Sequence, residues 1–367
     1  MTATESTGSG APAATRTFVY VSNAEDGEIT TYRLQPETGA LQAGPRVQVG
    51  PMVMPMAASP DRRYLFASVR SKPFSVVTLS IDPRTGTLQK LSTAPLPDSM
   101  CYISLDKTGR FLFAASYAGS LVSVHAVSSD GHVSMEPLQV LPTGRNAHSI
   151  RIDETNRFVF VPTLGSDAVF QYTFDSKSGR LSSNTPAAVL AKPLTGPRHV
   201  ITSPDNKLIY VANEMLGTVT TFALDNTTGL LTELDSASGL PPDSKLIPGA
   251  PRGVQPARNT DNDIWAADLH TTPDCRFLYM SERTTSTLAQ FDVNAATGKL
   301  TYVGSTPTEK QPRGFAIEPK GRFLVASGEK SATISVYAID PATGALRPPQ
   351  KHPTGRGANW VEIVSFD

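Results

Sequence analysis

Cysteine is nearly absent: only Cys101 and Cys275 occur in 367 residues. Two cysteines cannot make a disulfide framework, and neither stands at zinc-ligand spacing from a second Cys or a His. Net charge is absent too, with 33 Lys+Arg against 33 Asp+Glu. A nucleic acid or an anionic membrane surface needs a basic field, so neither partner is expected. No apolar run is long enough to span a bilayer. Residues 1–15 are rich in Ala, Thr, Ser and Gly and lack a basic start and an apolar stretch. They read as a disordered tail and not a signal peptide, with residues 16–367 forming one domain. There is no GxSxG elbow and no HExxH helix, which signals neither a serine esterase nor a zinc protease. The expectation from these absences is a cytoplasmic monomer.

What is present is a repeat. The turns LQPETGAL (34–41), IDPRTGTL (81–88), FDSKSGRL (174–181), LDNTTGLL (224–231), VNAATGKL (293–300) and IDPATGAL (339–346) share one pattern, and SSDGHV (128–133) is a shorter relative. Each sets turn-forming residues before a Gly between two β-rich runs, which is hairpin chemistry. The glycines at 39, 86, 131, 179, 229, 298 and 344 are separated by 47, 45, 48, 50, 69 and 46 residues. A period near 45 with strands alone between the turns predicts an all-β, seven-bladed β-propeller.

A second turn alternates with the first. It appears as ASPDRRYLF (58–66), LDKTGRFLF (105–113), IDETNRFVF (152–160), TSPDNKLIY (202–210), TTPDCRFLY (271–279) and IEPKGRFLV (317–325). Six of these stand against seven of the other, so one blade lacks its inner strand. The C-terminal run NWVEIVSF (359–366) is expected to supply it and close the ring, which removes exposed sheet edges.

Call the strands of a blade A to D from the inside outward. Both turn types then fall on one face, the bottom. The start of A, the end of B and the D-to-A crossover fall on the other, the top. The bottom turns keep their pattern, whereas the top columns vary. Near the start of A come Met54, Cys101, His148, Arg198, Ala267, Arg313 and Asn359. One residue later come Pro55, Tyr102, Ser149, His199, Asp268, Gly314 and Trp360. At the end of B come Ala24, Arg70, Tyr117, Leu164, Glu214, Arg283 and Glu329. His148, Arg198, His199, Glu214, Asp268, Arg283 and Arg313 belong to four consecutive blades and are expected as one arc at the channel mouth. The long gap adds the Pro/Gly-rich crossover 241–265 with Lys245, Arg252 and Arg258, a candidate lid over the same mouth.

Several arginines beside a histidine and a carboxylate suit an anionic substrate. Guanidinium binds carboxylate or phosphate bidentately, and a positioned His or Glu activates water. The bland alternative is an internal ion pair, since Arg198 and Glu214 share a blade. His270 lies three residues down strand A and reads as a structural histidine. Cys275 takes the usual glycine position of a bottom turn.

The segments PMAASPDRRYLFASVRS (55–71), GPRHVITSPDNKLIYVANE (196–214), WAADLHTTPDCRFLYMSERT (265–284) and PTEKQPRGFAIEPKGRFLVASGEKSATISVY (307–337) resemble the bacterial β-propeller 6-phosphogluconolactonases. The resemblance runs from about Phe18 to Val364. It implies hydrolysis of 6-phosphoglucono-δ-lactone with no obligatory metal and no cofactor. The carboxy-cis,cis-muconate cyclases share this family. By motif, His148 (NAHSI), Arg198 (GPRH), Glu214 (ANE) and Arg313 (QPRGF) would be the catalytic residues, and His199, Asp268, Arg283 and Arg70 would hold a small anionic lactone. Three rivals stand beside this reading: an aldarolactonase, a muconate-lactone cycloisomerase-like enzyme, and a non-catalytic propeller. The last would need aromatic anchors on its top face, where Tyr102 and Trp360 are the obvious ones.

Overall fold

Seven four-stranded antiparallel sheets are arranged in sequence order around a ring in the computed structural model, which describes residues 15–251 and 259–366. Arg252, Arg258 and nearly all of the expected tail lie outside the described residues. In blade 2 the strands run Val53–Ala58, Tyr64–Val69, Ser75–Ile81 and Leu88–Pro95, and this A-to-D order recurs in each later blade. Innermost strands of successive blades touch one another round the ring, except that strand A of blade 5 (Pro197–Thr202) meets strand B of blade 4 (Phe158–Thr163).

Closure is as expected. Ala358–Phe366 pairs antiparallel with Arg16–Asn23 and supplies strand A of blade 1, with Val19 opposite Ile363. No blade is left with an open inner edge.

The two turn families do share one face, and they clasp adjacent blades. Arg63 Nη2 donates to the carbonyl of Ser129, Arg110 Nη2 to Ser176, and Arg157 Nη2 to Asn226, each bond running from a PDGR-type turn to the next blade's hairpin. On the same face the hairpin glycines pack on a residue at or near the start of strand B of the preceding blade. Gly86 lies against the ring of Phe18, Gly131 against Tyr64, and Gly39 of blade 1 against Phe323 of blade 7. At Gly86 φ is +71°, and a Cβ there would also collide with Phe18. Both backbone sign and close approach therefore select glycine. Cys275 takes the corresponding left-handed position of its own bottom turn, at φ +55°. Among the described residues no helix is long and apolar enough to cross a membrane.

Candidate active site at the top of the channel

Strand A does not run straight to the top. Its ladder with strand B shifts between Val53 and Met56, Met100 and Tyr102, Pro197 and His199, and Ala266 and Leu269; in blade 1 the skipped residue is Asn359. Cys101, Arg198 and Asp268 thus occupy β-bulges. A bulge frees a residue from the alternation of the strand and re-aims its side chain, here toward the channel. His148 and Arg313 reach the same level from the backbone just before the short strands Arg151–Ile152 and Phe315–Ile317. The end-of-B residues complete the cluster. Glu214 N donates to Gly196 O and Arg283 N to Trp265 O, which extends each A–B pairing by one residue past the strand end.

The cluster is built on a shared carboxylate. Glu214 Oε2 accepts from Arg198 Nε at 2.7 Å and from Arg283 Nη2 at 2.7 Å. Burial opposes its charge, yet Arg283, Arg198 and Arg313 hold its pKa below the usual range. Arg198 also donates through Nη1 to Ala267 O at 2.7 Å and to His199 Nε2 at 3.0 Å. Because arginine only donates, His199 Nε2 accepts, and its proton rests on Nδ1 facing Asp268 Oδ1 at 2.8 Å. Asp268 Oδ2 takes His270 Nε2 at 3.1 Å. Burial, reinforced by Arg198, depresses His199 to about 3, so it is neutral with both nitrogens committed. Burial draws Arg283 down to about 9, and its guanidinium stacks 3.8 Å from the Trp265 ring centre.

His148 is buried without a carboxylate partner. Its Nδ1 lies 3.8 Å from Cys101 Sγ, and its ring meets Tyr117 and His199 edge-on. Burial, then Arg198, His199 and Arg313, holds its pKa well below 6.5. Arg313 keeps a loose contact with Glu329 at 3.6 Å. Arg70 bonds Ser99 Oγ and the Met54 sulfur, with no carboxylate in contact among the described residues. One donor is left over: Arg198 Nη2 is buried with no hydrogen-bond partner among the described residues.

All the expected residues are therefore brought together, but as a packed cluster and not an open cup. Arg198 is 0% exposed, and His148, His199, Glu214, Asp268 and Arg283 are each below 8%. The internal ion pair of Arg198 and Glu214 forms, and it still leaves Nη2 without a partner among the described residues. Arg283 also walls a cleft of about 480 Å³ with Trp265, Lys310 and Gln311, and Thr260 and Asp261 of the long crossover rim it. That crossover is pinned where Ile247 pairs with Asn262 and Ile264 and where Gly249 N meets Met215 O. Lys245 is exposed. One expectation needs correcting. Tyr102 and Trp360 are not top-face anchors; they stack with each other and with His199 inside the channel. His270, expected as a structural histidine, is bonded to Asp268 and through it reaches the cluster, a link that strand spacing could not show. Among the described residues no three His, Cys, Asp or Glu side chains are arranged to hold a metal ion.

Residues 17–363 match the family model described as "Lactonase, 7-bladed beta-propeller". The chain belongs to this family. Among curated lactonase-family relatives, the 6-phosphogluconolactonase of Serratia proteamaculans is 38% identical over 205 residues, 56% of this chain and 57% of that protein. The matched part thus spans little more than half the length of such relatives. Among solved structures, the Pseudomonas aeruginosa periplasmic gluconolactonase PpgL is 28% identical with a TM-score of 0.82, covering 96% of this chain and 99% of PpgL. A Bacteroides fragilis protein at 22% identity, with a TM-score of 0.84 over 97% of this chain and 99% of its own, shares the propeller fold.

Proposed function

We propose that this propeller hydrolyses a sugar-acid lactone, with 6-phosphoglucono-δ-lactone as the preferred substrate. The observation that carries the reading is Arg198 Nη2, a buried guanidinium donor with no hydrogen-bond partner among the described residues. Buried polar groups are almost always paired, so an orphan donor marks where an acceptor belongs. A lactone carbonyl oxygen supplies that acceptor, and its charge grows in the tetrahedral intermediate. Arg198 Nη2 and the nearby Arg313 then oppose the charge, an effect worth roughly 3 kcal/mol per donor. Arg198 is covered, so the side chains above it must part before the carbonyl reaches it.

His148 serves as the base. Being neutral, it takes a proton from water as the oxygen attacks the carbonyl carbon. Collapse of the intermediate breaks the ring C–O bond, and the departing alkoxide recovers the proton from His148. The product is a hydroxy acid, which ionises and releases one proton to solvent. Glu214 is poorly placed for this role, because its Oε2 is held by two guanidiniums. It positions the arginines. His199 and Asp268, expected as substrate contacts, act in this reading as the brace of Arg198. Arg70, partly exposed, meets the distal anion.

The names 6-phosphogluconolactonase and gluconolactonase borne by relatives support the substrate class. An aldaric lactone presents a carboxylate where the phosphate would be, and arginine binds both. A cytoplasmic monomer belongs to the same reading; fractionation and size-exclusion chromatography test those two points. The activity is tested by pH-indicator assay on 6-phosphoglucono-, glucono-, glucaro- and galactarolactones. The phosphorylated lactone should be hydrolysed fastest, and His148→Ala should lower its rate about 10²–10⁴-fold. No acceleration of any lactone would overturn the reading.

A further inference from the structure

The channel has a second chamber. Tyr102, His199 and Trp360 stack across its middle, with ring centres 5.0 Å, 5.4 Å and 6.0 Å apart, and the top cluster lies on one side of this plug. On the other side, toward the hairpin face, is a cavity of about 320 Å³ lined by the lower halves of strands A. Its roof is Tyr102 and Trp360. One wall is apolar, formed by Met56, Ala57 and Pro60. Opposite charges face the space: Arg151 from blade 4 and Glu362 from the closing strand.

These two groups do not close on each other as an ion pair. Arg151 makes one side-chain hydrogen bond among the described residues, Nη1 to the Tyr102 hydroxyl at 3.3 Å. Its remaining N–H groups are left to the cavity. Glu362 Oε1 accepts from Trp360 Nε1 at 3.0 Å, and Oε2 has no partner among the described residues. The other charged groups in the chamber are already occupied. Lys107 Nζ holds Glu154 at 2.7 Å, and Asp106 is consumed by its own turn through Thr108 and Phe111 N. His270 and Asp268, which also bear on Glu362, are bonded to each other.

We propose that this lower chamber is a binding site for a small monocarboxylate with a flat apolar body, distinct from the top cluster. The ligand carboxylate pairs with the free edge of Arg151 and accepts from the protonated Glu362 carboxyl. Its apolar body lies between Trp360 and the Met56–Ala57–Pro60 wall. Both parts follow from the donors left over and from the apolar surface beside them. Burial pushes Glu362 up to about 7, with Trp360, His270 and Arg151 opposing and Asp268 assisting. Below that pH the neutral acid donates to the ligand. Above it a second carboxylate faces the anion and repels it. Affinity therefore weakens as pH rises through about 7. This assignment is independent of the lactonase reading.

The test is equilibrium binding of benzoate, benzamide and benzylamine to the full chain by ligand-observed NMR, from about pH 5.5 to about pH 8.5, where benzoate stays ionised. Benzoate should bind in preference to the other two and lose about tenfold in affinity across that range. Glu362→Gln should flatten the pH dependence, and Arg151→Gln should weaken binding at least about tenfold. Ala58→Leu, which fills the chamber without touching a charge, should abolish binding in a protein shown by thermal melting to be folded. Arg313→Ala, in the top cluster, should leave it unchanged. Preference for benzylamine, loss of binding in Arg313→Ala, or retention in both Arg151→Gln and Ala58→Leu would overturn the assignment.

Discussion

His148 differs from an ordinary surface histidine in what surrounds it. Two arginines and a neutral histidine share its pocket, and no carboxylate compensates. Burial first, and then the two arginines, favours the unprotonated ring. A base works when unprotonated, so a lowered pKa extends the active range toward acid. kcat/KM for lactone hydrolysis, corrected for spontaneous hydrolysis, should stay level from about pH 8 to below 6.5 and decline only at more acid pH. A histidine at its usual value would have lost half its rate at about 6.5. Half-loss at or above that value would assign the base to another group. The residue pattern exposed the candidates, because the bottom turns repeat and the top columns do not. It did not separate base from brace. The proposed separation rests on hydrogen bonds between blades, such as Arg283 to Glu214 across 69 residues.

A blade's grip on its neighbour resides in the hairpin. Gly86 needs a positive φ and also carries the Phe18 ring on its face. Gly86→Ala adds left-handed strain and overpacks the contact, and should lower stability by about 2–4 kcal/mol in chemical denaturation. Phe18→Leu removes the ring, so in that background the same Ala should cost measurably less; strict additivity of the two would show that Phe18 is not what the Cβ meets. The turn itself was legible from TG and DG spacing, since turn type is a local property. The clasp was not, because its partner lies 68 residues away in the chain and only ring geometry joins them. Bulges at the tops of strands A were equally invisible. One extra residue on a strand leaves no mark in a hydrophobic pattern this short.

The ring as a whole depends on its closing strand. Ala358–Phe366 covers Arg16–Asn23 and buries Val361 and Val364. Removing residues 358–366 would leave a long, flat, apolar edge, the kind of edge that pairs with other chains. The truncated protein should lose its cooperative melt and form higher oligomers by light scattering, and a monomer with an unchanged melting temperature would show that closure is dispensable. That strand also brings Trp360 and Glu362 into the channel, so the plug and the lower chamber exist only when the ring is shut.

By itself the sequence determined blade number, the face carrying each turn family, the closure and the set of candidate residues. All of these follow from local rules: φ preferences, strand alternation and a period repeated seven times. Tertiary structure decided what those residues do to one another. It placed Glu214 between Arg198 and Arg283, left Arg198 Nη2 without a partner, committed both nitrogens of His199, and divided the channel at Tyr102 and Trp360. The physical reason is that most of these contacts join different blades, and that the pair within one blade, Arg198 with Glu214, meets where a bulge re-aims Arg198. Their distances depend on bulge geometry and ring curvature, and a one-dimensional repeat carries neither.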